Sequence, residues 1–314
     1  MKKELGIFIL LVVLCVIVSV LNPRFLGQAN LQNMGRLIGM FGIFSIGSGM
    51  VIITGGIDLS VGSLFALLGV LLSLMLTEWG WGPALAVIAI IGGAMLVGAF
   101  HGFLITRMRM QPFIVTLCGL LLYRGIARFV AHDETKGFGE GGGFQTLRNL
   151  ATGSFLGIPM PFVLLVVIAA VMWVVLHKSV YGRHLFAVGR NEEAARFSGV
   201  NSRRIIASTY VIAGALAGVS GILIAFYTNS VSPSSHGSFY ELYGIAAAVL
   251  GGCSLQGGEG SIVGIVIGTA LLQVLQNLVN LLGIPSSLNF AVMGAVILIG
   301  VLADQLLKQR RVRA

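Results

Sequence analysis

Charged side chains are scarce in this chain of 314 residues. Lys, Arg, Asp and Glu together make up 10% of the sequence, whereas hydrophobic residues make up 56% and the mean hydropathy is +0.96. A soluble domain carries roughly 25% charged residues, so too little polar surface is present to cover a water-soluble globule. The low charge excludes a soluble domain, a disordered chain and a coiled coil. It indicates a protein that lies in a membrane.

Cysteine and recognisable catalytic spacings are also lacking. The three cysteines, Cys15, Cys118 and Cys253, lie in apolar or glycine-rich surroundings without a CxxC spacing, so they indicate neither a disulfide framework nor a metal site. The histidines form no HExxH motif, and the sequence contains neither GxSxG nor the GxxxxGK[ST] phosphate-binding loop. We therefore expect no catalytic residue, no metal site and no cofactor in this chain.

Long apolar segments lie between the few charges. At about 20 residues per crossing, they predict ten transmembrane helices. The predicted spans are 5–21, 35–54, 59–77, 84–106, 112–130, 160–177, 205–226, 237–251, 262–281 and 287–303, of which the eighth has the weakest support. No small-x-small cleavage site precedes Asn22, so we interpret the first span as a retained helix. The sequence predicts an all-α, polytopic membrane helix bundle that forms a single domain over residues 1–314.

Basic residues are distributed unequally between the predicted loops. With a cytoplasmic amino terminus, ten crossings place fourteen of the twenty Lys and Arg residues on the cytoplasmic side, where such residues concentrate. They are Lys2, Lys3, Arg107, Arg109, Lys178, Arg183, Arg190, Arg196, Arg203, Arg204, Lys308, Arg310, Arg311 and Arg313. Both termini are then cytoplasmic, as is a loop at about 178–204. The net charge of +9 reflects topology and does not indicate a nucleic-acid partner.

A second long loop, at about 131–159, is rich in glycine and faces outward in this topology. We expect it to be mobile, or ordered only against a partner. Other glycines recur four residues apart in the predicted helices, at Gly35/Gly39, Gly98/Gly102, Gly214/Gly218 and Gly264/Gly268. Small residues at this spacing let helix backbones approach closely in lipid, which predicts a tightly packed bundle. An alternative is that some glycines mark places where transporter helices slide or break.

The segment from Thr54 to Ser63 joins two apolar helices with almost no loop. Its glycines permit a sharp turn, and Asp58 and Ser60 carry side-chain oxygens that can cap the next helix. Helix capping is therefore one interpretation of Asp58. A carboxylate so close to an apolar region is costly, so a substrate contact is the other interpretation.

The loop at 178–204 contains a predicted short amphipathic helix at 191–197. Asn191 would be its N-cap, acidic residues occupy its first turn, and Gly199 supplies its end. Such a helix either docks into a groove of a cytoplasmic partner or lies on the bilayer surface.

Three motifs together resemble the ribose/xylose-type permeases of bacterial ATP-binding-cassette importers. They are Gly-Gly-Ile-Asp-Leu-Ser-Val-Gly at 55–62, Gly-Arg-x-x-x-Ala-Val-Gly-Arg-Asn-Glu-x-Ala-Ala at 182–195, and Gly-Gly-x-Ser-Leu-x-Gly-Gly-x-Gly at 251–260. The resemblance implies a multi-pass permease of the bacterial inner membrane that pairs with a second copy or a homologue. It further implies that a periplasmic binding protein delivers a monosaccharide and that a separate cytoplasmic ATPase binds the ATP, so that this chain is not an enzyme.

Carried over by position, the resemblance places the ATPase-coupling loop at Gly182, Arg183, Ala187, Gly189, Asn191, Glu192, Ala194, Ala195 and Gly199. It places the family's gating turn at Gly55, Gly56, Asp58, Leu59, Ser60 and Gly62. Polar residues near membrane depth are candidates for the translocation path, or for interhelical hydrogen bonds; they are Asn229, Tyr243, Gln273 and Asn277. Two alternatives stay open: a permease for a sugar-derived signal or a branched-chain amino acid, and a passive channel or membrane scaffold with no energy partner. Membrane lipid is an expected partner in each case.

Overall fold

A computed structural model describes residues 2–139 and 143–285, together with residues 288, 291, 294, 295 and 298. These parts of the chain are almost entirely helical. The α-helices found in them are α1 (Lys2–Leu21), α2 (Gln28–Ile53), α3 (Val61–Thr77), α4 (Pro83–Thr106), α5 (Pro112–Val130), α6 (Gln145–Thr152), α7 (Met160–Trp173), α8 (Val180–Arg190), α9 (Glu192–Phe197), α10 (Ser202–Thr228), α11 (Tyr240–Leu250) and α12 (Ile262–Leu281).

Short irregular elements complete the described chain. A 3₁₀ turn (Pro23–Leu26) links α1 to α2, and a π-helical turn (Val174–Lys178) extends α7. Strand β1 (Lys136–Gly137) pairs antiparallel with β4 (Ser230–Val231), and β2 (Ser154–Phe155) forms a hairpin with β3 (Ile158–Pro159). The first of these pairs ties the outward loop to the end of α10.

The predicted spans correspond to helices wherever the structure describes them, and the tenth, 287–303, lies largely outside the described residues. Within the described part, seven helices are long and apolar enough to cross a membrane, whereas α3 has 17 residues and α11 has 11. At 1.5 Å per residue α11 is about 16 Å long, about half of the hydrocarbon core. The eighth prediction therefore needs correction, because the helix begins at Tyr240 and does not cross a bilayer by itself.

Helices α2, α3 and α10 carry most of the buried residues, and α2 and α10 lie at the centre of the bundle. Helix α10 packs against α4 and α2, and α2 also contacts α7, α11 and α12. Phe44, Phe65 and Tyr240 interlock at the contact of α2, α3 and α11. Helix α1 exposes most of its side chains, as expected for a helix that is apolar all round and faces lipid.

The glycines spaced four apart lie at helix contacts, which confirms the tight packing predicted for them. A Cβ atom on Gly39 would overlap the backbone of Pro161 in α7, and one on Gly214 would overlap the carbonyl of Ala94 in α4. Gly264 meets the backbone of Gly251 at the contact of α12 with the end of α11. These helices approach so closely because no side chain separates their backbones.

Two segments predicted as loops contain more structure than expected. The segment 178–204 includes α8, which the sequence interpretation missed, in addition to the predicted short helix, which is α9. In the outward loop, the Phe138 and Phe144 rings pack against Phe226 of α10, with ring centroids 4.4 and 5.8 Å away. The expectation that this loop is mobile was wrong for these parts, because buried aromatic rings fix it to the bundle. The glycines at 141 and 142 lie outside the described residues.

The ends of the helices define two faces. We call the end that carries residues 54–60, α8, α9 and the start of α12 the coupling face, and the end that carries residues 131–159 the loop face. Glu4 accepts a hydrogen bond from Ser261, so the amino terminus also lies at the coupling face. Asn22 donates to the carbonyl of Leu281 (3.0 Å), so the other ends of α1 and α12 meet at the loop face.

Candidate functional site

Helices α8 and α9 follow each other on the coupling face, and each has a side-chain cap. Ser179 accepts a hydrogen bond from the N–H of Gly182 (3.1 Å) at the start of α8. Asn191 separates the two helices, and its side chain accepts from the N–H of Ala194 (2.9 Å), as predicted for an N-cap. A six-residue helix is too short to be stable alone, so these caps and its contacts hold it in place.

The first residue of α9, Glu192, is hydrogen-bonded to the first residue of α10, Ser202. The Ser202 hydroxyl donates to Oε1 of Glu192 (2.9 Å). Gly199 has a φ of +84°, which a residue with a side chain rarely adopts, and it turns the chain after α9 as predicted. Ala195 is buried beneath the helix, whereas Phe197 is 84% exposed. The element therefore presents an aromatic side chain outward from a fixed backbone.

The remaining residues predicted for coupling lie along α8. A Cβ on Gly182 would overlap the carbonyl of Leu176, so the glycine lets α8 fold back against the end of α7. Arg183 and Ala187 are exposed, and the Ala187 carbonyl accepts from the N–H of Asn191 (3.1 Å) where α8 ends. Exposed and close-packed positions thus alternate around this helix.

The three sequence motifs meet directly behind α8. The N–H of Gly258 donates to the carbonyl of Ile53 (2.8 Å), and a Cβ on Gly189 would overlap that same carbonyl. A Cβ on Gly257 would lie 2.9 Å from the N atom of Gly55. Segments distant in sequence therefore touch through backbone atoms alone, which explains glycine at these positions.

The turn between α2 and α3 consists of a sharp bend followed by hydrogen bonds between Asp58 and Ser60. Gly55 has a φ of +79°. Oδ1 of Asp58 accepts from both the N–H (2.9 Å) and the hydroxyl (2.7 Å) of Ser60. The sequence interpretation had allowed Ser60 to cap α3 with its own side chain, but its hydroxyl accepts no hydrogen bond from the N–H groups of α3 and donates to Asp58. Leu59 is half-buried.

A polar cluster around Asp58 was missed by the sequence interpretation. His101 of α4 and Tyr123 of α5 share a hydrogen bond of 2.7 Å, and the hydroxyl of Tyr210 of α10 donates to the carbonyl of Ile57 (3.2 Å). All three side chains are close enough to Asp58 to interact with it electrostatically. The three residues lie on separate helices, and only the packing of these helices brings them together.

A second cluster of polar side chains lies where α3 meets α11, nearer the loop face than the cluster around Asp58. Glu241 is only 7% exposed, and its carboxylate lies against Gly62 at the start of α3. Arg124 of α5 interacts with Glu241 electrostatically and donates to the carbonyls of Pro233 (3.1 Å) and His236 (2.8 Å). Charged groups inside a bundle are costly unless paired, and these have partners.

The four residues suggested for the translocation path are not brought together. Asn229 lies at the loop face with a φ of +55° and accepts from Arg148 (3.3 Å). Tyr243 is buried against Phe41. Gln273 and Asn277 lie on α12, Gln273 buried and Asn277 hydrogen-bonded to Asn30 (2.7 Å). The Asn277 contact is of the interhelical kind that the sequence interpretation gave as the alternative.

Charged residues on the loop face form exposed pairs. Lys136 donates to Glu78 and Glu134, both at 3.3 Å, and these hydrogen bonds raise the pKa of the lysine. Asp133 accepts two hydrogen bonds from Arg128, which lower the pKa of its carboxyl. Pairs this exposed contribute little to stability, but they fix the charge of the loop face at neutral pH.

The architecture is that of a membrane permease: a multi-pass helical bundle with close glycine contacts, polar groups inside it and an exposed capped element at one face. The family described as branched-chain amino acid transport system / permease component matches residues 30–301. The chain belongs to this family of permeases, which are transport components.

Curated relatives match nearly the whole chain. The ribose import permease protein RbsC of Bacillus subtilis (strain 168) is 42% identical over 96% of this chain and 93% of its own length. The protein of the same name from Escherichia coli (strain K12) is 39% identical over 94% and 92%. The D-allose transport system permease protein AlsC of E. coli is 30% identical over 97% and 92%. No solved structure matches this chain.

Proposed function

We propose that this protein is the permease subunit of an ATP-binding-cassette importer for a monosaccharide, with ribose as the first candidate. The relatives named above are ribose or D-allose permeases, and the match covers more than nine-tenths of this chain and of each of them. A branched-chain amino acid is a weaker candidate, because only the family's general description supports it.

The observation that carries the mechanism is the backbone contact between α8 and the turn that begins α3. Gly189 lies against Ile53, two residues before the Gly55 turn. A force applied to α8 and α9 would reach this turn without passing through flexible side chains. This is the arrangement needed to link an ATPase on the coupling face to helices that surround a solute path. It also favours an energised importer over a passive channel.

The proposed partners follow from the two faces. A cytoplasmic ATPase, which binds the ATP, would dock on α9 and the exposed residues of α8. A periplasmic binding protein would dock on the loop face, and a second permease copy or a homologue would complete the path. Both termini are then cytoplasmic in the bacterial inner membrane, in agreement with the basic residues near the coupling face, such as Arg107 and Arg183. Ten crossings, with 287–303 as the last, remain part of this proposal.

Phe197 provides the most direct test, because its ring is exposed and its removal leaves the α9 backbone intact. Phe197→Ala should release the ATPase during affinity purification and lower sugar uptake by at least tenfold. Phe155→Ala is the matched control, because Phe155 is also exposed (60%) but lies on the loop face. If both variants retain the ATPase equally, α9 is not its docking site. If no ATPase purifies even with the unmodified protein, the importer proposal itself fails.

A further inference from the structure

The chain between α10 and α11 enters the bundle from the loop face as irregular backbone. Val231 packs against Gly69 of α3, and the carbonyl of Gly237 lies against Gly62 of the same helix. With a rise of 1.5 Å per residue, these two positions are about 12 and about 22 Å from the end of α3 at Thr77. The segment therefore descends to about the middle of a 30 Å hydrocarbon core.

Two tryptophans independently mark the membrane boundary from which this depth is measured. Trp79 and Trp81 follow α3 directly, and both are partly exposed on the loop face. Tryptophan is enriched at the level of the lipid headgroups. The end of α3 therefore lies at the interface, and residues 232–238, which we call the serine loop, lie inside the membrane.

The serine loop exposes hydroxyl groups at this depth. The hydroxyls of Ser232 and Ser234 are 3.2 Å apart, and Ser235 donates to Ser232 (3.0 Å). Ser234 and Ser235 are both exposed on the surface of the chain. Irregular polar backbone is not found against lipid tails, because nothing there satisfies its hydrogen bonds. These serines must therefore face water or protein.

The Arg124 side chain holds the serine loop in place, but it does not bind all of the polar groups around the loop. Arg124 binds the carbonyls of Pro233 and His236, and Glu241 lies next to the loop at the start of α11. The imidazole Nε2 of His236 is buried, and among the residues that the structure describes it has no hydrogen-bond partner. A buried nitrogen of this kind is normally satisfied by water or by a ligand hydroxyl.

We propose that the serine loop lines the water-filled path of the permease at mid-membrane and contacts the hydroxyl groups of the solute as it passes. Serine hydroxyls and an imidazole exchange hydrogen bonds readily between water and a sugar. Several weak contacts allow release as well as entry. Arg124 acts as the positioning residue that keeps the loop at this depth. The solute class in this inference rests on the proposed function, whereas the aqueous location of the loop does not.

Cysteine accessibility tests the location of the loop. The parent would carry Cys118→Ala, which removes the exposed native thiol, and Ser234→Cys or Ser235→Cys would be added to it. A charged, membrane-impermeant methanethiosulfonate reacts with thiolates, which form in water and not in lipid. Leu96→Cys is the control, because Leu96 is exposed on α4 at about 20 Å from its Pro83 end, a similar depth. We expect the loop cysteines to react at least tenfold faster than the control.

The results separate the two levels of the inference. Labelling as slow as that of Leu96→Cys, in both serine variants, would overturn the aqueous location. Fast labelling that ribose slows, with the ATPase and binding protein present, supports both the location and the solute contact. Fast labelling that no monosaccharide slows supports the location and contradicts the sugar contact.

Arg124 variants test the positioning role. Arg124→Gln should lower uptake at least tenfold and change the labelling rate of the Ser234 cysteine, while Arg124→Lys should recover part of both. Membrane insertion and a single size-exclusion peak would show that the variant folds. A folded Arg124→Gln protein with unchanged uptake and labelling contradicts this role.

Discussion

The N–H of Gly258 donates a hydrogen bond of 2.8 Å to the carbonyl oxygen of Ile53, and this bond joins the segment between α11 and α12 to the end of α2. Gly189 of α8 lies against both atoms of this hydrogen bond, the Ile53 carbonyl oxygen and the Gly258 nitrogen. Three segments that are far apart in sequence therefore share one backbone contact at the coupling face. A displacement of α8 must move the other two segments or break this contact.

Replacing Gly189 by Ala should damage the protein although alanine favours helices. The added Cβ would overlap the Ile53 carbonyl, and such overpacking costs about 1–3 kcal/mol. We expect a lower Tm in detergent and a loss of sugar-stimulated ATP hydrolysis. Gly93→Ala is the matched control, because a Cβ on Gly93 in α4 meets no atom within 4 Å. Equal Tm values for the two variants would contradict the backbone contact.

Asp58 variants distinguish hydrogen bonding to Ser60 from a need for charge. Asn retains the side-chain oxygen that accepts from Ser60, whereas Ala removes it. The structure shows hydrogen bonds from Ser60 that an amide oxygen can also accept, so Asp58→Asn should retain uptake within about twofold. Asp58→Ala should lose about 1 kcal/mol of stability, the usual net contribution of such a hydrogen bond. Measurements of uptake and Tm on both proteins decide between the interpretations. A stable Asn variant without transport would show that the carboxylate charge is needed.

Adjacent acidic residues on α9 offer a charge-matched comparison. Both glutamates are exposed, but the Ser202 hydroxyl donates a hydrogen bond to Glu192 (2.9 Å) and not to Glu193. Glu192→Lys should break the connection between α9 and α10 and uncouple uptake from ATP hydrolysis. Glu193→Lys makes the same change in charge at the start of the helix, and it should preserve coupling better. The ratio of sugar transported to ATP hydrolysed in proteoliposomes gives the answer. Identical ratios would mean that charge alone, and not the Ser202 contact, accounts for any effect.

Local patterns were sufficient to predict much of the fold. Apolar runs between charges located the long helices, because each helix must satisfy its own backbone in lipid. Asn191 and Gly199 correctly marked the ends of the short helix α9, since capping and positive φ depend on a few neighbouring residues. Helix α8 was missed because its small apolar face is interrupted by charges and glycines that serve contacts elsewhere.

The interior of the site could not be predicted in the same way. His101, Tyr123 and Tyr210 lie on three separate helices, so no spacing in the sequence relates them. The position of the serine loop could not be predicted either, because its depth depends on contacts with Gly62 and Gly69, which lie far away in the sequence. Its composition, rich in serine with one proline, is typical of a surface loop. Only the packing of α3 against this segment shows that it lies inside the bundle.

Phe138 should be essential for the order of the loop face. Its ring is 1% exposed and stacks on Phe226 with centroids 4.4 Å apart, and β1 next to it pairs with β4. Replacing a buried Phe by Ala typically costs about 3–5 kcal/mol. In Phe138→Ala the loop should detach from α10, so that trypsin cleaves after Lys136 or Arg148 at least tenfold faster in vesicles that expose the loop face. Phe155→Ala removes an exposed ring from the same loop and should leave the cleavage rate unchanged. Equal cleavage rates in both variants would mean that the strand pairing, and not the aromatic contact, holds this loop.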